Sequence, residues 1–208
     1  METRPYRSQR RASAAAETRR FVLEAALAAF GEHGYVRATI AGIAARADVA
    51  VNTVYASVGG KPQLLVALIE DAADSAFVGG ADHAAAEPRT ADEVFQRLEQ
   101  VAAKLFLDHG WLLSEVYSIA GTDPAILEAL QAAEARFAEV IAGAARQICA
   151  LGELRPGLDA ADAADVLWFY LGFRRWKALL DRGWSTDRAR TWLTEQAAAA
   201  ILLPAQRA

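Results

Sequence analysis

One cysteine, one methionine and three histidines in 208 residues leave little material for thiol or metal chemistry. The lone Cys149 excludes an internal disulfide and the usual cysteine zinc sites, and its expected place is that of a small buried hydrophobe on a helix. His33, His83 and His109 stand far apart with no metal-ligand spacing, so neither a metal nor another cofactor is expected. No run of about eighteen uninterrupted apolar residues occurs, and the arginine-rich Arg4–Arg20 segment lacks the apolar stretch of a secretory signal. A cytoplasmic protein without a membrane partner is therefore expected. Gly59-Gly60 completes neither a dinucleotide nor a P-loop fingerprint, and no nucleophile-elbow sequence is present. Catalysis is not expected.

What is present is an ordinary globular composition, 54% hydrophobic and 23% charged, with an uneven distribution of charge. Residues 1–61 hold nine Lys/Arg against five Asp/Glu; the remainder holds 13 against 21. A basic head on an acidic body suits a chain whose first third meets a polyanion, although the net charge of −4 does not.

Strand-length alternation of β-branched residues is absent, and apolar residues recur at helical spacing almost throughout, so the fold class is all-α with about nine helices. From about Ala14 to His33, the set Phe21, Val22, Ala25, Leu27, Ala28 and Phe30 makes a buried face, with Gly34 as the stop. Thr90-Ala-Asp-Glu93 reads as a capping box, and Thr122-Asp123-Pro124 places a cap before a first-turn proline. Later helices are expected from roughly Asp159 to Arg182 and from about Ser185 to Leu202.

The stretch Thr39–Lys61, TIAGIAARADVAVNTVYASVGGK, is the most informative. Thr39 caps a two-turn helix in which Ile40, Ile43, Ala44 and Ala47 recur. Asp48 then stands where a tight turn needs positive φ, which Asp tolerates better than most residues. Val49 plugs the gap, and Ala50–Tyr55 supports a second short helix. This is a helix-turn-helix pattern, whose second helix enters a DNA major groove.

Phe30…Gly34-Tyr35, Thr39…Ile43-Ala44…Ala47-Asp48-Val49, Tyr55 and Val58-Gly-Gly-Lys61-Pro-Gln-Leu64 resemble, in order and spacing, the DNA-binding domain of TetR-family transcriptional regulators. Asp48 replaces the usual turn glycine, Ala50 a usual Ser or Thr cap, and Val58 a usual Phe. The resemblance implies that Tyr55 contacts phosphate, with Thr39 and Lys61 gripping the backbone on either side. The free N–H groups at the helix opened by Lys61-Pro62, and the close approach that Gly59-Gly60 allows, suit an anion there. Base reading falls to the exposed Val51, Asn52 and Thr53 of the recognition helix. Arg37 and Arg46 are candidates for further DNA contacts, with solvated surface charge as the alternative for each.

The arginines before Arg20 suggest a basic arm over 1–13, disordered in the free protein and in weak backbone contact when bound to DNA. The three-helix head is expected over 14–60, and the resemblance implies a helical effector-binding and dimerisation domain over 61–208. The apolar breadth of the last two helices suggests a homodimer through Phe169, Phe173, Trp176, Leu180, Trp192 and Ala197. Trp111, Glu115, Tyr117, Arg136, Phe137 and Trp168 could line a pocket for an unidentified small-molecule effector, largely apolar or aromatic; taken one at a time, each fits ordinary core better. His109 before Gly110 reads as a helix cap, and Arg174-Arg175 as a dimer-edge ion pair. The implied function is that of a repressor released by its effector from a palindromic double-stranded DNA operator. The alternative is an all-helical scaffold for a partner protein, which leaves Tyr55, Lys61 and the basic head without a role.

Overall fold

The computed structural model describes residues 4–81 and 88–203, with side chains described for 13–75 and 88–203. His83 and Met1–Thr3 lie outside the described residues. The chain is all-α: α1 (Arg4–Arg37), α2 (Ile40–Arg46), α3 (Val51–Ser57), α4 (Lys61–Ala81), α5 (Ala91–Ile119), a 3-10 turn (Ala120–Thr122), α6 (Pro124–Ala150), α7 (Ala160–Leu171), α8 (Phe173–Leu180) and α9 (Thr186–Ile201). Two units separate: residues 1–71 with 114–130, and residues 72–113 with 131–208.

In the first unit α1, α2 and α3 pack on one another. The helix α1 starts at Arg4 rather than near Ala14, so the backbone of residues 4–13 is helical where a disordered arm was expected. A glycine-free run rich in Ala and Arg, with Pro5 in the first turn, suits this. Gly34 interrupts α1 with φ 74° and ψ 159°, a left-handed φ that a Cβ would oppose. The buried face of α1 is Val22, Leu23, Ala25, Ala26, Ala29 and Phe30, whereas Phe21, expected inside, is exposed. Ile43, Ala44 and Val54 are almost fully buried and close the three-helix core.

The second unit has a core from α5, α6, α7 and α9, including Val94, Phe95, Phe137, Ile141, Ile148, Leu167, Ala197 and Ile201. The expected single helix from Asp159 to Arg182 is two helices. Gly172 stands between them in extended conformation (φ −69°, ψ 146°), where a Cβ would lie 2.9 Å from the Trp168 carbonyl oxygen. A capping box at Asp159 and Asp162 starts α7, and Ser185 caps α9 after the positive-φ Gly183. Arg155 N–H donates to the Ile201 carbonyl and Leu203 N–H to that of Glu153, tying the end of α9 to the segment after α6. Cys149 is exposed, not buried, because Ile148 takes the inward position at that end of α6. Among the described residues no helix is long and apolar enough to cross a membrane.

Candidate nucleic-acid interface

The turn between α2 and α3 takes the geometry that its sequence demands. Asp48 is the one described non-glycine residue with positive φ, 54°, and Val49 N–H donates to the Ala44 carbonyl at 3.0 Å. Thr39 caps α2 by accepting from Gly42 N–H at 3.1 Å. At the start of α3, Ala50 supplies no side-chain cap. Val54 anchors α3 in the core, leaving Val51, Asn52 and Tyr55 exposed and Thr53 half-buried. One surface of a seven-residue helix thus carries an amide, an aliphatic group and a phenol.

Other site candidates are occupied within the protein. Arg46 forms a two-pronged ion pair with Glu32 of α1, at 2.8 and 2.6 Å. That bond holds the Glu32 carboxyl below its ordinary range and the Arg46 guanidinium above its own. Lys61 lies 4.6 Å from the Tyr35 ring centroid and donates to the Val36 carbonyl at 3.1 Å, while partial burial lowers its pKa. Arg37 bonds the His33 carbonyl.

Gly59-Gly60 also has a local purpose. With Gly60 as the cap before Lys61, Gln63 occupies the third helical position and accepts from Gly60 N–H at 3.0 Å, the reach-back half of a capping box. At Gly59, φ 120°, a Cβ would lie 2.9 Å from the Gln63 side chain. The Gly-x-x-Gln spacing carried that signal. Glu32 and Glu115 left no comparable one, because their partners lie on other elements.

Glu115, expected in an effector pocket, belongs to the first unit and accepts a hydrogen bond from Tyr35 N–H at 2.8 Å. Tyr117 is also in the first unit, whereas Trp111, Arg136, Phe137 and Trp168 are in the second. Of the expected pocket residues, Phe137 and Trp168 meet, with ring centroids 5.7 Å apart, and Arg136 pairs with Asp74. Phe106 joins a ring cluster with Phe137, Phe173 and Trp176. Beside it, α5, α8 and α9 border a cleft lined by Glu99, Phe106, Leu107, Trp176, Arg190 and Leu193 among others. Its void is about 20 Å³, room for roughly one water, and with its mouth it encloses about 390 Å³. A Glu99–Arg190 ion pair stands at this cleft.

His109 lies inside α5, not at its end, and its Nδ1 is buried without a partner. Burial lowers its pKa. Gly110 is a contact point rather than a stop: a Cβ there would lie 3.2 Å from the Trp176 ring. Among the expected dimer residues, Phe173, Trp176 and Ala197 are buried within the second unit itself, Leu180 is half-buried, and Phe169 and Trp192 are exposed. Arg175 stacks 4.1 Å from the Phe169 ring centroid, a contact within one chain. Among the described residues no group of His, Cys, Asp or Glu could hold a metal.

Residues 22–68 match the model for bacterial regulatory proteins of the tetR family. The head is a tetR-family domain. Transcription regulation and DNA binding are the work of that class. None of the curated proteins matches the sequence. Among solved structures, the chain is similar to a candidate transcriptional regulator from Saccharomonospora viridis in complex with choline, with a TM-score of 0.77, 22% identity, and 91% of this chain and 100% of that one covered. It is also similar to SmeT in complex with triclosan (TM-score 0.72, 23% identity, coverage 91% and 93%). SmeT is the repressor of the Stenotrophomonas maltophilia multidrug efflux pump SmeDEF. A third is a TetR transcription regulator from Haloarcula marismortui (TM-score 0.73, 19% identity, coverage 90% and 100%). These likenesses show that the TetR-like all-α fold extends beyond the tetR-family head over about nine-tenths of the chain.

Proposed function

We propose that the protein is a homodimeric repressor, released from a near-palindromic operator by a small, largely apolar or aromatic effector. The observation that carries the reading is the surface of α3, on which Asn52, Val51 and Tyr55 stand exposed beside a core-anchored Val54. Asn52 has the donor and acceptor pair that suits an adenine edge, Val51 a methyl that suits thymine, and the Tyr55 hydroxyl a reach to phosphate. Thr39 and Lys61 flank this helix as backbone contacts, and Lys61 keeps further N–H donors beside its Val36 bond to make one.

For the body, we place the effector at the Phe106–Trp176 cleft, extending toward Phe137 and Trp168 in place of the wider set named from sequence. An apolar floor with one ion pair is the usual make-up of a small-molecule site. Triclosan, bound by one structural neighbour, is an aromatic ligand of the character proposed, whereas choline, bound by another, is a small organic cation. The exposed Phe169 of α7 and Trp192 of α9 are the surface proposed for the twin.

Selection of bound sequences from a random DNA pool at two salt concentrations tests the reading. Enrichment of an inverted repeat with a steep loss at high salt supports it. A strict monomer in sedimentation at micromolar concentration defeats the dimer, and a compound that binds the body without changing operator affinity is not the effector. Purified, helical protein that enriches no sequence favours the scaffold alternative.

A further inference from the structure

We infer that Glu115 is a positioning residue for DNA binding, its carboxylate holding the turn after Gly34 from which α2 and α3 are presented. The inference rests on the DNA-binding reading of the head. Its starting point is the break in α1. Gly34, with φ 74° and ψ 159°, takes the next residue out of the helical ladder, so Tyr35 N–H needs an acceptor from elsewhere. Glu115 Oε1 supplies it at 2.8 Å, from 80 residues away in sequence. A charged acceptor makes this a stronger bond than a neutral carbonyl would.

The turn has few other anchors. Val36 is 78% exposed, so its side chain offers little packing. The Tyr35 ring lies against Phe30, with centroids 5.4 Å apart, and Lys61 holds the Val36 carbonyl at 3.1 Å. Ala38 N–H then returns to the Gly34 carbonyl at 3.2 Å, and the next residue, Thr39, is the cap of α2. Any change in the angle at residues 34–36 is therefore passed within one turn to the start of the helix-turn-helix. Glu115 stands on α5, in the segment 114–130 that clusters with residues 1–71. The head is thus completed by a distant stretch of chain, and one carboxylate of that stretch grips the backbone immediately ahead of the reading helices.

Three variants and two readouts test this: hydrogen exchange at the Tyr35 amide, and affinity for the selected operator at two salt concentrations. Glu115→Met keeps length and helix propensity but has no acceptor; it should speed Tyr35 exchange and weaken operator binding by about tenfold each, because a partly buried donor loses its partner. The salt dependence should stay as in wild type, since Glu115 touches no phosphate. Glu115→Gln keeps an acceptor oxygen and should restore both readouts to within about threefold of wild type. Tyr35→Phe, which leaves the amide and its partner in place, should keep exchange at the wild-type rate.

The inference is overturned if Glu115→Met leaves either readout at the wild-type value, or if Glu115→Gln weakens DNA binding as much as Met while Tyr35 exchange stays slow. Should the Met variant not fold, a Tyr35 amide that exchanges freely in the wild-type protein overturns it alone. Wild-type protein that selects no DNA sequence defeats the DNA-binding reading and the positioning role together, whereas slow exchange lost in the Met variant would still identify the bond itself.

Discussion

The two units solve different problems with different residues. In the first, short helices of seven residues are set by backbone devices: a cap at Thr39, a positive φ at Asp48, an interruption at Gly34 and a reach-back from Gln63. Its candidate working groups stand on the outside. In the second, long helices are held by an interior of aromatic rings centred on Phe106, and the candidate working surface is a cleft beside that interior. A head whose function is presentation needs fixed angles. A body that encloses an effector, as proposed, needs volume that can be shared between its own side chains and a guest.

The largest effect that would sharpen this contrast is Phe106→Ala. Phe106 is 6% exposed and touches the rings of Phe137, Phe173 and Trp176. Its removal should lower the unfolding free energy by about 3–5 kcal/mol, read in denaturant melts. If the body is built to share volume, small aromatic molecules should recover part of that loss by filling the space. A variant that loses less than about 1 kcal/mol would show that the ring cluster is not the keystone of the body.

Next in size is Asn52→Ala, which changes an exposed amide on α3 and should leave melting unaltered. Discrimination at one operator position should fall by about 1–3 kcal/mol, read by repeating the sequence selection. A uniform loss over all sequences would instead make Asn52 a backbone contact.

A third variant tests the idea that the head is set by local devices. Ala50 gives α3 no side-chain cap, so Ala50→Ser should stabilise the head by about 1 kcal/mol. No gain in the melt would mean that the α3 terminus is already satisfied by other means.

The same contrast explains what could be read from sequence. Helix-turn-helix geometry depends on residues within a few positions of each other, so Thr39, Asp48, the uncapped Ala50 and the stop at Gly34 were all legible and all take the expected conformation. The body's errors share one cause. Helical periodicity tells that Phe173, Trp176 and Ala197 are apolar, but not whether they face their own core or a twin, and the structure gives them to the core. Gly172 lies in an apolar run, where a glycine does not by itself mark a break, and the structure ends one helix and starts the next there with no room for a Cβ beside the Trp168 carbonyl. The aromatic neighbours of Glu115 in sequence suggest a pocket, whereas its bond partner, the Tyr35 N–H, lies in the head.

Glu32 and Arg46 offer the smallest effect and the closest test of what an outside surface is for. Both side chains are about half exposed, and exposed ion pairs contribute little to stability, so Glu32→Gln should leave the melting temperature nearly unchanged. Yet the pair commits both guanidinium prongs of a candidate DNA contact to a carboxylate of the same chain. A phosphate that approaches Arg46 meets the Glu32 carboxylate beside it, which shares the guanidinium and repels the phosphate. Freeing Arg46 should raise operator affinity by roughly threefold and steepen the salt dependence by about one ion, whereas Arg46→Gln should do neither. If Glu32→Gln leaves both affinity and slope as they were, the ion pair is only a fastener between α1 and α2, and the first unit uses even its exposed charges to fix angles.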